Sequence, residues 1–557
     1  MKFKKTKLVS LFLIINIFTL FSSVLFIEEI YKLQFIDSEY FKNKALSNRQ
    51  KVEVIEAKRG SILDKNFNEV SESINAFNIG IYPDKLSNKE TASELLAPLL
   101  KIDKSIINES LNKNENYFYL KRNVDFDVGL KIKEWNYEGI NVEKSSKRII
   151  YTDSLKHIIG HVDPDGNGIE GLELYFDNSL KGKDGELRYE AAPNGDFIPQ
   201  GKSNILDPIH GSDLVLSIDS ELQYISENLC IDALKQTNAF KCSVVFVNSE
   251  NGEIIISAEK SNTDNKYFNI NLISGRALYE PGSALKIFTI GSLLDSQVVM
   301  ENDTYYVEDK IEIIENSCDK FYEGLKGCFR DFLNHEPFQL TVKEIIERSS
   351  NVGTIKVTEA SSVSEIENYL VKFGFSQKTG VELTGEAKGG FVDYKRCLTC
   401  LSSLSIGYSI TVSQYQMVRA YSIIANGGRD VKLTLVQKDK VEFINNEVIS
   451  PEMSDRLKKL LINVVEGKNG TGKSLRKEGY IIGGKTGTSR THLEGVGYSE
   501  DRFNTSFTGF VETKEGPIVG SVLLWGAKTN QTSEYVTGGS TAAPIFKKII
   551  SYFVPKD

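Results

Sequence analysis

At 557 residues the chain exceeds one ordinary domain, so two or three folded units are expected, each able to bury its own core. Its 40% hydrophobic and 25% charged residues are ordinary for a globular protein. A net charge of -8 argues against a nucleic-acid partner, which would require clustered Lys and Arg to neutralise phosphates.

The first element is apolar. Lys2, Lys4, Lys5 and Lys7 precede an uncharged run from Leu8 to Ile27, followed at once by Glu28 and Glu29. The run is long enough to span a bilayer. A cleavable signal peptide would have a shorter core and a small-residue cleavage site, which only Ser22 and Ser23 approach. Residues 8–27 therefore read as a single-pass anchor in the cytoplasmic (inner) membrane, with 1–7 inside and all that follows exported.

Residues 28–205 read as short strands and helices broken by Asn, Lys and Gly, with turns at Gly166-Asn167-Gly168 and Pro193-Asn194-Gly195, and carry no chemical constellation. The catalytic region, 206–557, opens with a strand at Leu214 to Ile218 and a helix from Ser220. Asn251-Gly252 predicts a hairpin between Ser243–Val247 and Glu253–Ser257. Helices follow from near Pro281, over 342–348 and over 452–466. Strands return at 480–485, 505–511 and 518–525. Strands at both ends of a helical middle imply an α+β domain whose terminal strands join one antiparallel sheet.

Three short patterns occur in fixed order: Ser283-Ala-Leu-Lys286, Ser349-Ser350-Asn351 and Lys485-Thr486-Gly487-Thr488. Each is weak alone. Ser-x-x-Lys recurs at Ser110, Ser257, Ser317 and Ser474, and Lys-Thr-Gly at Lys378. Only Ser283 follows a chain break, Pro281-Gly282, and opens a buried helix, where a lysine three residues on shares its face. Lys485 ends the apolar segment Tyr480-Ile-Ile-Gly-Gly-Lys, whereas Lys378 falls in a turn-rich loop. An edge strand of small residues would let a peptide pair along its backbone.

Other patterns read as structural. Gly467 to Ser474 fits the phosphate-binding Gly-x-x-x-x-Gly-Lys-Ser, but a helix precedes it and a strand follows, the reverse of what that motif needs. Cys318 and Cys328, and Cys230 and Cys242, are close enough in sequence to pair, while Cys397-Leu-Thr-Cys400 lacks the further ligands a zinc site requires. The pairing stays open. His157 and His161 have no clustered third ligand, and no metal or cofactor is expected.

The ordered set resembles that of the class B penicillin-binding proteins, with Ser-Ser-Asn in place of Ser-Asp-Asn. Arg59 to Asp64, Gly168 to Asp177, Phe373-Gly-Phe375, Ser405 to Tyr408, Arg419 to Gly428 and Ala542-Ala-Pro544 are also similar to family segments. Thr152 and Lys65-Asn66-Phe67 depart from it, where the family usually has Pro and Arg-x-Gly.

The resemblance implies a transpeptidase domain like that of serine β-lactamases, an antiparallel sheet with flanking helices, carried on an elongated α+β pedestal. It implies a peptidoglycan D,D-transpeptidase that cross-links stem peptides with release of D-Ala. Ser283 would be the nucleophile, Lys286 its base and Ser349 a proton relay. Asn351, Lys485, Thr486, Gly487 and Thr488 would bind substrate, and the N–H groups of Ser283 and Thr488 would form the oxyanion hole. β-Lactams would acylate Ser283.

The resemblance points to septal synthesis and to partners among division proteins, including a SEDS-family glycan polymerase. The alternatives are an elongation-type transpeptidase, a D,D-carboxypeptidase, or a silent penicillin-binding scaffold or sensor.

Overall fold

The computed structural model describes residues 2–113, 115–192, 198, 203–262, 273–319, 327–394, 397–493, 495–528 and 536–554; the turn expected at Pro193-Asn194-Gly195 lies outside them. An N-terminal helix, Lys2–Tyr31, contains the apolar run. Val9–Ile36 is long and apolar enough to cross a membrane, with a mean hydropathy of 2.3, and none of it is buried within the chain.

The chain divides into two compact units, Met1–Arg59 with Lys181–Ser212, and Gly60–Leu180 with Asp213–Asp557. In the first unit, strands Gln50–Ile55, Gly185–Glu190 and Ser203–Leu206 form an antiparallel sheet.

In the second unit the long strand Glu69–Ile81 pairs on one side with Phe118–Asp125 and on the other with Ile140–Ile150. Alternation sends Phe77, Ile79 and Ile81 to one face, where Leu96, Leu100, Ile107 and Leu111 of two helices cover them. Ile62–Leu63 joins this sheet to Leu214–Val215 in parallel.

Next to that junction, buried Asp64 accepts the N–H groups of Asn66 and Asn68 and the hydroxyl of Ser220. Desolvation works against its charge, but these bonds hold its carboxyl below the usual range. The departure Lys65-Asn66-Phe67 still makes the turn. Phe67, at φ +64°, adopts the left-handed conformation a glycine would take freely.

In the catalytic region, helix α1 (Ser220–Thr237) starts at the Asp219 cap and leads into strand β1 (Lys241–Asn248), which turns at Asn251-Gly252 into β2 (Ile254–Ser261). The central helices used below are α2 (Lys286–Asp295), α3 (Val342–Arg348), α4 (Asn351–Thr358), α5 (Gln414–Ala425) and α6 (Pro451–Glu466). Strands β3 (Ile482–Leu493), β4 (Gly497–Val511) and β5 (Ile518–Ala527) follow, then α7 (Ala542–Ile550).

The strands form one antiparallel sheet in the order β2-β1-β5-β4-β3, so first and last segments of the region meet as expected. Both faces are covered. Val244 and Phe246 pack with α1 and α7, while Val245 and Val247 face the layer holding α2, α5 and α6. That is why β1 reads as a continuous apolar run.

Strand β3 is an edge strand, but it does not end at Lys485. It continues to Leu493, paired with β4 throughout, because alternating side chains past Gly487 still find partners on both faces.

Cysteines 230 and 242 tie α1 to β1, 318 pairs with 328, and 397 with 400. His157 Nε2 lies 3.0 Å from the carbonyl of Ser257, and His161 Nδ1 lies 3.5 Å from Glu170.

Candidate active site

The nucleophile candidate sits where sequence makes the chain break. Pro281 and Gly282 lead into a single 3-10 turn, Gly282–Leu285, which passes directly into α2. Gly282 has φ +54°, and a Cβ there would stand 2.9 Å from the Thr488 carbonyl, so only glycine lets the turn lie against β3. Gly407 backs the same turn, donated to by Gly282 N–H at 3.0 Å, and the Tyr421 hydroxyl holds the Ala284 carbonyl at 2.8 Å. Ser283 is partly open to solvent, whereas α2 behind it is buried from Lys286 to Leu294. A helix apolar on all sides belongs in a core, and this one is central.

Ser349 arrives from the other side. Helix α3 opens with a capping box, Thr341 with Glu344, and closes at Ser349 in the left-handed region at φ 61°, ψ 35°. Ser350 then caps α4, its hydroxyl accepting Gly353 N–H at 2.8 Å. The Ser-Ser-Asn pattern is thus the joint between two helices. A non-glycine left-handed residue there stores strain that the neighbouring helices sustain.

The two lysines meet at this joint, both with no exposed surface. Lys286 Nζ donates to the Ser349 carbonyl at 2.7 Å and to Asn351 Oδ1 at 2.6 Å. Lys485 Nζ donates to Ser349 Oγ at 2.7 Å and to the Thr486 carbonyl at 3.3 Å. Burial pushes Lys286 down to about 7, against the pull of Asp331. Lys485 also lies well below the usual lysine range, through burial and then the neighbouring Lys286 charge. A neutral lysine amine has two N–H donors and one lone pair. Both donors of Lys286 have carbonyl acceptors, which leaves the lone pair for a proton.

Alternation along β3 separates Lys485, Gly487 and Ser489 from Thr486 and Thr488. Ser489 Oγ bonds the Glu280 carbonyl at 2.8 Å, on the nucleophile's side. Thr486 Oγ1 donates to Thr471 Oγ1 at 2.9 Å, and Thr488 Oγ1 accepts Gly538 N–H at 3.2 Å.

The structure thus brings Ser349, Asn351, Lys286 and Lys485 into one hydrogen-bonded group. It sets the Ser283 turn against Thr488 at its edge.

The competing patterns lie in other settings. Ser110 bonds back to Ile106 within a surface helix, Ser257 is buried in β2, Ser317 lies beside a disulfide, and Lys378 offers its carbonyl to Arg419. The Gly467 to Ser474 segment is a turn after α6, closed by Gly472 N–H on the Val464 carbonyl and running into one 3-10 turn, Lys473–Leu475. It nonetheless supplies Thr471. Glu347 of α3 braces it through Asn463 and the Asn469 N–H, each at 2.6 Å.

Sequence reasoning missed Thr471, Glu347, Asp331 and Glu280. Glu280, three residues before Ser283, accepts the Tyr498 hydroxyl at 2.9 Å, and burial raises its carboxyl. Its closeness to Ser283 in sequence is the one signal that could have found it.

Two family models match in order: "Penicillin-binding Protein dimerisation domain" over residues 54–216 and "Penicillin binding protein transpeptidase domain" over 242–551. The chain is 27% identical over 549 residues to stage V sporulation protein D of Bacillus subtilis, covering 94% of this chain and 82% of that protein. It is 27% identical over 542 residues to the peptidoglycan D,D-transpeptidase FtsI of Buchnera aphidicola, covering 93% and 90%. A crystal structure of penicillin binding protein 3 from Mycobacterium tuberculosis in complex with aztreonam superposes with a TM-score of 0.64 at 21% identity, over 90% of this chain and 96% of that one. The transpeptidase match alone spans more than half of the chain, and relatives run its length, so this chain belongs to the class B penicillin-binding proteins and is a serine-type peptidoglycan D,D-transpeptidase.

Proposed function

We propose that Ser283 attacks the carbonyl of the penultimate D-Ala of a stem peptide while its proton passes to the Lys286 amine. The observation that carries this is the pairing of two fully buried lysines through Ser349, with both Lys286 N–H groups occupied by carbonyl oxygens. The C–N bond to terminal D-Ala breaks, Ser349 relays a proton to the leaving amine, and the peptide stays as an ester on Ser283. An amine of a second strand then attacks the ester and regenerates the serine.

Asn351 bonds the substrate amide. Lys485 and the hydroxyls of Thr486 and Thr488 receive the terminal carboxylate, with Thr471 holding Thr486 in place. Gly487 admits the peptide backbone along the edge of β3, and the N–H groups of Ser283 and Thr488 stabilise the oxyanion, each worth on the order of 3 kcal/mol.

The exported domain works on the outer side of the cytoplasmic membrane, anchored by the N-terminal helix. We place it in septal wall synthesis beside a SEDS-family glycan polymerase, on the resemblance of the segments flanking Lys485 to septal members. A fluorescent fusion at the sidewall rather than midcell would contradict that placement. Mass spectrometry of the penicillin-treated protein tests the chemistry: the adduct is expected on Ser283, and an adduct on another serine overturns the assignment.

A further inference from the structure

A short hairpin stands behind the Ser349-Ser350-Asn351 joint. Strands Lys310–Glu312 and Cys328–Arg330 pair antiparallel, and Cys318 is bonded to Cys328. Immediately after it, the Arg330 carbonyl accepts Asn351 Nδ2 at 2.7 Å. The next residue, Asp331, has a side chain only 10% exposed. Its Oδ1 accepts the N–H of Asn351 at 2.5 Å and of Val352 at 3.0 Å, and its Oδ2 accepts the Ser350 hydroxyl at 2.7 Å. His335 Nε2 lies 3.1 Å from the same Oδ2.

One carboxylate therefore meets three polar groups where α4 leaves the joint. Asn351 has a contact on each side: its N–H on Asp331, its Oδ1 on Lys286.

We propose that Asp331 is a positioning residue for acyl transfer: it holds Ser349-Ser350-Asn351 against Lys286, and its carboxylate, linked to the amine through Asn351, acts on the base as well as on the joint. A carboxylate that only capped α4 would do the first and leave the second to burial. The charged groups that act on Lys286 are Lys485 on β3 and, from the hairpin side, Asp331, which His335 meets in turn; Ser349 and Asn351 face the amine with neutral oxygens. Asp331 is the carboxylate that favours the ammonium form of Lys286 against desolvation. The second half of the proposal rests on Lys286 being the base.

The test is the second-order acylation rate of the full-length protein in detergent by a fluorescent penicillin, from pH 5 to 9. It is run in a His335→Gln background, which removes the imidazole that titrates against the same carboxylate. The unmutated hairpin should give an acid limb near pH 7. Asp331→Asn keeps the size and removes the charge: the plateau should fall on the order of 10- to 100-fold, and the limb should move about one pH unit lower. Asp331→Glu keeps the charge but displaces it, and Ser350→Ala removes one donor, so both should lower the plateau and leave the limb in place.

An Asp331→Asn protein with an unmoved limb refutes the charge role, and an unchanged plateau refutes the positioning role. If that variant does not fold, an unchanged plateau in both Asp331→Glu and Ser350→Ala overturns the proposal. Absence of any limb near pH 7 in the parent would instead defeat Lys286 as the base, and the plateau losses would still decide positioning.

Discussion

Ser349 offers a test in which stability and activity separate. Its backbone lies at φ 61°, ψ 35°, where a Cβ crowds the following carbonyl, at roughly 1–2 kcal/mol for a non-glycine residue. Its hydroxyl holds Lys485, and its carbonyl, which any residue supplies, holds Lys286. Ser349→Ala and Ser349→Gly both delete the hydroxyl, so the cost of leaving Lys485 short of a partner cancels between them. What differs is the Cβ. Glycine escapes the crowding but gives up about 0.5–1 kcal/mol more chain entropy on folding. The glycine variant should therefore be the more stable of the two by about 0.5–1 kcal/mol, the opposite of the usual order at a helix position. Differential scanning fluorimetry of the two proteins side by side measures the difference. Acylation by a fluorescent penicillin should fall equally in both, on the order of 100-fold or more if the hydroxyl relays a proton. A glycine variant that melts below the alanine variant refutes the strain argument. Equal melting with unequal acylation refutes the role given to the hydroxyl.

Three further outcomes follow, two from the burial of Lys286 and one from the Gly282 turn. Acylation should fall about tenfold for each pH unit below about 7, because only neutral Lys286 can take the serine proton; a limb near the ordinary lysine range would contradict its burial. The stability sign runs the same way: between about 7 and 10.5 the unfolded chain binds the proton and the folded one does not, so this lysine's contribution improves as pH rises through that window and is at its worst below it. Gly282→Ala should cost roughly two orders of magnitude in acylation while leaving the circular dichroism spectrum unchanged, since the new Cβ meets the Thr488 carbonyl at 2.9 Å and the backbone is at φ +54°. Wild-type acylation by that variant would show that the turn does not need its close approach to β3.

How much was legible depends on the range of the forces involved. The apolar helix, the Asn251-Gly252 hairpin, α3, α6 and strand β5 are written in local periodicity and turn chemistry, and formed within a few residues of their expected bounds, whereas β4 starts eight residues before the expected Thr505. Strand β3 ran eight residues past the expected end, from Lys485 to Leu493, because its continuation is decided by pairing with β4 and not by its own hydrophobicity. The left-handed Phe67 was hidden for a related reason: Asp64 and its donors impose the turn on whatever residue stands there. Ser283, Lys286, Ser349, Asn351 and Lys485 could be picked out because order and setting separate them from repeats of the same patterns. Asp331 and Glu347 belong to no pattern, and Thr471 stands at an unspecified position of the Gly467 to Ser474 pattern, which reads as a structural turn. Each acts through a hydrogen bond that only the folded chain creates.

Those missed residues explain how two lysines can be buried side by side. An ammonium without a partner in such a place would cost several kcal/mol, and among the described residues neither lysine has a carboxylate in direct contact: their acceptors are Ser349, Asn351 and Thr486. The site instead supplies fixed neutral oxygens from a helix joint, and it fixes the joint from behind. Asp331 holds α4, Glu347 of α3 holds the turn that carries Thr471, and Thr471 meets Thr486 next to Lys485. The charges that brace the site are set one residue away from the groups that react. A carboxylate placed directly on Lys286 would have stabilised its ammonium and cost it the lone pair. Placed behind Asn351, it can orient the acceptors while leaving the amine close to neutral pH, which is where a base for serine acylation has to titrate.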